Sequence, residues 1–237
     1  MQIIDSGLGN GCQKRIARLA ADMATHIAKI ASGSRRAIVL LGLLGLVWTN
    51  NAYSASKSIL VLGDSLSAEY GLARGTGWVA LLQQRLGTEK IAATITNASI
   101  SGETTSGGKT RLPALLQHKP DIVIIELGAN DALRGLQLNA TESNLRAMIS
   151  AAQQAKSKVL LVGMRIPPNY GRDYTEKFFA QYATLARQAK VPLVPFLLDG
   201  VADKPELMQA DRMHPIAQAH PIILNNVWPQ LKPLLTK

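Results

Sequence analysis

Between Ser58 and Leu197 short apolar runs alternate with longer stretches whose apolar residues recur every three or four positions. The runs SILVLG (58–63), IAATITNAS (91–99), DIVIIELG (121–128), KVLLVGM (158–164) and VPLVPFL (191–197) have the length and β-branched content of strands. Between them, WVALLQQRL (78–86), TRLPALLQH (110–118), TESNLRAMISAAQQA (141–155) and DYTEKFFAQYATLARQAK (173–190) carry helical spacing. Strands apolar on both faces, each followed by a helix, predict an α/β fold, a three-layer α/β/α sandwich around a five-stranded parallel sheet. No repeat, low-complexity tract or linker interrupts the alternation, so one domain is expected over residues 55–237.

A different pattern precedes it. Ala37 to Trp48 (AIVLLGLLGLVW) is an unbroken apolar run of 12 residues, led by Arg35-Arg36 and followed by the small and polar TNNAYSAS. A bilayer span needs about 20 apolar residues, so positive flank, short run and small-residue exit read as a secretory signal peptide over residues 1–54. Ala52-Tyr53-Ser54 places small residues where a signal peptidase reads, favouring a cut before Ala55 and an exported, periplasmic or secreted product. An uncleaved anchor is the alternative.

Composition changes this picture little. The formal charge of +10 comes from 26 Lys and Arg against 16 Asp and Glu, and the leader carries six of those bases and two of the acids. The remaining charges are spread without a run, which argues against a nucleic-acid partner. The single cysteine, Cys12, lies in the leader. Cysteine nucleophiles, disulfides and thiolate metal sites are therefore excluded from the processed chain.

In parallel α/β sheets ligands sit at the carboxyl ends of the strands. The segments there are Gly63-Asp64-Ser65-Leu66-Ser67, Ser99-Ile100-Ser101-Gly102-Glu103-Thr104 and Gly128-Ala129-Asn130-Asp131, with Asp211-Arg212-Met213-His214-Pro215 near the terminus. At these residues the chain resembles the SGNH, or GDSL, hydrolase family, whose four motifs occur in order. Within that family it is most similar to secreted bacterial arylesterases and multifunctional thioesterase I/lysophospholipase L1 enzymes, through GDSLSAEYGL, NASISGETT, ELGANDALRG and D-x-x-H-P. The resemblance implies a flavodoxin-like hydrolase fold, Ser65 as nucleophile, Gly102 and Asn130 as oxyanion donors, and Asp211 with His214 completing a triad. It also implies hydrolysis of carboxylic esters and thioesters. Arg212 stands where the family usually has glycine, and Ile216 where a small polar residue is more usual.

The chemistry suits these residue types. A serine hydroxyl needs a base to take its proton and donors to hold the oxyanion. Ser65, in a turn leaving a strand, would keep its own N–H free to donate. Gly102 admits a close backbone N–H, and Asn130 can add a neutral amide donor. His214 would relay the proton, Asp211 would hold the imidazole tautomer, and Pro215 would stiffen the loop. With an unperturbed histidine value of about 6.5, activity is expected to rise with pH around that point. The mechanism calls for no metal and no cofactor, and for a small ester or lipid substrate, with membrane contact only through that lipid. Leu133 and Tyr170, on apolar and glycine-rich loops at the same end of the sheet, are the groove candidates for an acyl chain.

Rival readings remain. A carbohydrate acetylesterase would use the same machinery on a smaller acyl group, and a non-catalytic binding module could use the same fold. His220 is a second histidine followed by proline, but Ala217 stands where its aspartate would be. His118 reads as a solvated helix-end residue and Asp131 as a possible helix cap. The α/β-hydrolase elbow G-x-S-x-G is missing, since Ser67 replaces its last glycine. Gly102 to Thr110 nearly matches the phosphate loop G-x-x-x-x-G-K-[ST], but Glu103 stands where the first glycine belongs.

Overall fold

The computed structural model describes residues 56–236, and the predicted leader lies outside them. Five strands form one parallel sheet: β1 (Lys57–Gly63), β2 (Ala93–Asn97), β3 (Ile122–Glu126), β4 (Lys158–Val162) and β5 (Leu193–Val194). Their order is β2-β1-β3-β4-β5. The registers pair Ile59 with both Ile95 and Ile122, and Ile122 with Lys158. Every residue of β3 is buried, as are Ile59 to Leu62 of β1 and Val159 to Val162 of β4. Fully burying such a Val, Leu or Ile contributes about 1.5–3 kcal/mol. β5 spans only two residues. Pro192 and Pro195 flank it without N–H groups, although Pro192 O and Val194 O still accept from Leu161 and Gly163 at 3.1 and 2.8 Å.

The helices are α1 (Trp78–Thr88), α2 (Thr105–Leu116), α3 (Ala129–Leu133), α4 (Leu138–Gln154), α5 (Arg172–Ala189) and α6 (His220–Thr236). α1 and α6 pack together on one face of the sheet, and α2, α4 and α5 in succession on the other, giving the three layers. α2 starts five residues earlier than its spacing suggests, because Thr104 caps it by accepting from Gly107 N at 3.4 Å. α6 has no counterpart among the expected helices. Pro229 and Pro233 break its sequence signature, yet Ile223, Val227, Trp228, Leu231 and Leu235 bury a continuous stripe that docks it.

From β1 the chain steps out to β2 and then crosses back to β3 on the other side of β1. That reversal leaves a crevice outside the carboxyl ends of β1 and β3, where neither connecting helix covers the sheet. The segments after β1, β2 and β3 therefore converge there. Among the described residues no helix is long and apolar enough to cross a membrane.

Candidate active site

The turn after β1 is held by its own aspartate. Asp64 Oδ1 accepts from Leu66 N at 3.0 Å, and Asp64 O accepts from Ser67 N and Ala68 N at 3.2 and 3.0 Å. This folds Ser65 out at the sheet's end. Its Oγ lies 2.8 Å from His214 Nε2, and His214 Nδ1 lies 2.6 Å from Asp211 Oδ2.

His214 and Asp211 are brought across by a tight loop. Met208 and Pro215 form an antiparallel bridge, and Gln209 N donates to His214 O at 2.7 Å. Within the loop Asp211 Oδ1 accepts from the amides of Met213 and His214 at 2.9 and 3.0 Å. The geometry requires a left-handed residue between the pair, and Arg212 adopts it with φ of 56°. Glycine reaches this conformation without strain, whereas Arg212 adopts it at a steric cost. Burial alone would raise the Asp211 carboxyl, but the two amides and the His214 ring outweigh it and hold it down at about 2. The Tyr70 ring packs on His214, with centroids 4.3 Å apart.

Ser65, Gly102 and Asn130 line one cavity, and each carries an N–H donor. Neither Ser65 N nor Gly102 N donates to an acceptor among the described residues. Gly102 has φ of 77°, which glycine reaches without strain. Arg134 Nη2 donates to Gly102 O at 2.8 Å and holds the Gly102–Glu103 peptide on the far side of that residue. Asn130 stands in the first turn of α3, entered through Gly128 at φ of 120°, where a Cβ would lie 2.4 Å from Tyr182 Oη. Asn130 Nδ2 donates to Asp64 Oδ2 at 3.0 Å, which leaves its second amide hydrogen for the crevice.

Beneath the site lies a pair of buried carboxyls that the sequence motifs do not assign. Glu126, fully buried at the end of β3, accepts through Oε2 from Asp64 N at 3.2 Å and from Ser67 Oγ at 2.7 Å. Trp78 Nε1 donates to Ser67 Oγ at 3.2 Å. Desolvation, reinforced by the neighbouring Asp64 charge, raises the Glu126 carboxyl well above its usual range. Desolvation likewise lifts Asp64 to about 6, against the Leu66 amide, His214 and Asn130. The one sequence signal for Glu126 is a lone carboxylate closing the apolar run IVIIE.

The rival residues are accounted for. His118 is exposed beyond the end of α2. His220 is buried, its Nδ1 accepting from Trp78 N at 3.0 Å, and burial pushes it down to about 4. It joins α6 to α1. Asp131 does cap a helix, though α2 rather than its own: its Oδ2 accepts from Thr105 N at 2.8 Å. Glu103 folds over the first turn of α2 and pairs with Arg111 Nε at 2.8 Å, so the glycine-rich segment already holds its own anion. Among the described residues no cluster of three His, Cys, Asp or Glu side chains is arranged to hold a metal.

Ser65, Gly102, Asn130 and His214 line a cavity of about 700 Å³. Leu133, Met164, Ile166, Phe196 and Leu198 make much of its wall apolar. Leu133 is thus where the sequence reading expects a groove residue. Tyr170 is not: Ile166, Pro167 and Pro168 of its loop face the cavity, while Tyr170 ends the short 3₁₀ turn Pro168–Tyr170 and stands exposed at the rim.

The model of the GDSL-like Lipase/Acylhydrolase family matches residues 61–222, which includes every residue of this site. Esterase TesA of Pseudomonas aeruginosa is 50% identical over 201 residues, covering 84% of this chain and 100% of that protein. Thioesterase 1/protease 1/lysophospholipase L1 of Escherichia coli (strain K12) is 43% identical over 196 residues, covering 82% of this chain and 93% of its own length. A crystal structure of TesA superposes with a TM-score of 0.74 at 51% identity, and 75% of this chain covers 99% of it. The chain belongs to the GDSL-like lipase/acylhydrolase family.

Proposed function

We propose that this chain is an exported serine esterase that cleaves carboxylic esters and thioesters of medium or long acyl chains through an acyl-enzyme on Ser65. The observation that carries the reading is the unbroken Ser65–His214–Asp211 relay, at 2.8 and 2.6 Å, opening into a largely apolar cavity. Ser65 Oγ attacks the substrate carbonyl carbon as its proton passes to His214 Nε2, and Asp211 stabilises the imidazolium. The oxyanion is held by Ser65 N, Gly102 N and the free hydrogen of Asn130. His214 then protonates the departing alcohol or thiol. Water repeats the sequence in reverse to release the acid and restore Ser65. Lysophospholipids and aryl esters fit this scheme, and the names of the relatives point the same way. A cavity of about 700 Å³ favours an acyl chain over the acetyl group of a carbohydrate acetylesterase. Export rests on the tripartite pattern of residues 1–54.

Hydrolysis of short and long p-nitrophenyl esters by Ala55–Lys237, beside Ser65→Ala, tests the reading. Activity in the parent that disappears in the variant is expected, with a long-chain preference. A folded parent without activity on either ester would remove the proposal.

A further inference from the structure

The described chain leaves five large apolar side chains exposed, Tyr70, Ile100, Leu136, Tyr170 and Met213, between 39 and 49% accessible. All five stand at one end of the molecule. Tyr70 lies on the loop after β1, Ile100 on that after β2, Leu136 on that after β3 and Tyr170 on that after β4, while Met213 precedes His214. The opposite end of the sheet and the outer helix faces present none of this class. Internal bonds fix the tips in place: Ile100 N donates to Gly63 O at 3.1 Å, and Leu136 O accepts from Tyr174 Oη at 2.7 Å.

Substrate binding inside the cavity does not explain them. Tyr70 and Met213 line its mouth, but Ile100, Leu136 and Tyr170 do not reach it. Apolar side chains gathered around an opening and turned outward to water mark a surface that meets something apolar. The charges on the same loops give its character. Arg74, Arg134 and Arg165 are exposed there and none pairs with a carboxylate among the described residues, although Arg134 Nη2 donates to Gly102 O at 2.8 Å and the Arg165 guanidinium lies 3.5 Å from the centroid of the Phe179 ring. The nearby half-buried Glu69 is turned back onto the amides of Gly75 and Gly77. Further acids at this end are Asp199, Asp203 and Glu206 on the loop after β5, Asp211 paired with His214, and Asp173 and Glu176, which pair with Lys177 and Arg172 in the first turns of α5.

We propose that this rim is a docking surface for an anionic lipid layer, with the apolar tips entering its interfacial zone and the arginines meeting lipid phosphates. The inference rests on the esterase reading and extends it, because a docked mouth lets a single-chain lipid pass from the layer into the cavity without crossing water. The rim makes delivery, rather than the cavity alone, part of the selection for lipid esters.

Cosedimentation of Ala55–Lys237 with phosphatidylglycerol and phosphatidylcholine vesicles tests this, together with Ile100→Ser/Leu136→Ser and hydrolysis of dissolved p-nitrophenyl butyrate. The parent is expected to bind phosphatidylglycerol at least about tenfold more tightly than phosphatidylcholine, and less tightly as salt rises. The double variant should lose about tenfold or more of that binding while its rate on the dissolved ester stays within about twofold. The unaltered rate reports that the variant is folded; each single variant, losing part of the binding, gives the same answer should the double one fail to fold. No vesicle binding by the parent, equal binding by the variants, or a preference for phosphatidylcholine would overturn the proposal. Loss of dissolved-ester hydrolysis in the parent would instead strike the esterase reading, since sedimentation does not depend on turnover.

Discussion

Asn130 Nδ2 and Asp64 Oδ2 are joined across 3.0 Å, so the residue preceding Ser65 orients a side chain delivered from a different strand. The bond spends one amide hydrogen of Asn130 and leaves the other for the oxyanion role proposed above. Asp64 is lifted to about 6 by burial, so it is mostly ionised, and the better acceptor, at neutral pH. Asp64→Asn is therefore expected to lower kcat about 10- to 100-fold with little change in KM, less than the outright loss of a donor. Below pH 6 the parent's kcat should fall more steeply than the variant's, because only the parent has the Asp64 proton to gain. Steady-state kinetics from pH 5 to 8 on both proteins would show it.

Asp211 makes the opposite case. Its carboxyl is held at about 2 by the Met213 and His214 amides and the His214 ring, against the effect of burial. The contribution of those bonds to stability is present above the ordinary aspartate value and is lost as pH falls towards 2. Activity lost between pH 7 and 5 thus does not come from this group. Asp211→Asn, which keeps the shape and spoils the tautomer of His214, should cost about 1000- to 10,000-fold in kcat. A pre-steady-state burst on a p-nitrophenyl ester would show the loss in the acylation step.

The fold was legible in the alternation of strands and helices, whereas the residues that the structure brings together at Ser65, Asp211 and His214 were marked by motifs that resemble the hydrolase family. The central strands are apolar on both faces, so IVIIE and KVLLV announce themselves, while the edge strand ATITN is half exposed and shows only its β-branched residues. What stayed hidden depends on three-dimensional neighbours. The helix His220–Thr236 is disguised by two prolines and stabilised by packing that no propensity records. Tyr170 shares a loop with cavity residues, and only the 3₁₀ turn decides that it faces outward. Glu126 looks like the end of a strand, and its role follows from Asp64 N and Ser67 Oγ converging on one oxygen.

Glu126 yields a stability prediction with a definite sign. Its folded-state carboxyl is raised well above the ordinary value by burial and by Asp64, so the native protein keeps a proton that the unfolded chain releases above about 4.5. Stability consequently declines as pH rises from there until the native carboxyl also titrates. Glu126→Gln preserves the acceptor for Asp64 N and Ser67 Oγ and cannot ionise. Urea denaturation from pH 5 to 9 should give a flatter profile for the variant and higher stability than the parent at the alkaline end.

Leu133 and Tyr170 separate the cavity from its rim. Leu133 ends α3 three residues beyond Asn130 and lines the apolar wall, so enlarging it intrudes on the space a long chain would fill. Leu133→Trp should cut the ratio of long- to short-chain kcat/KM by about tenfold or more, the scale on which a hydrophobic pocket senses a few methylenes. Tyr170 ends the exposed turn outside that wall, so Tyr170→Ala should leave the ratio for dissolved esters within about twofold, since it removes no cavity contact. The same variant should lose activity on substrate presented in anionic vesicles if the rim docks there. A chain-length series measured on both variants, first in solution and then on vesicles, assigns each loop its part. A shifted chain-length ratio for Tyr170→Ala in solution would move that residue from the rim back into the groove.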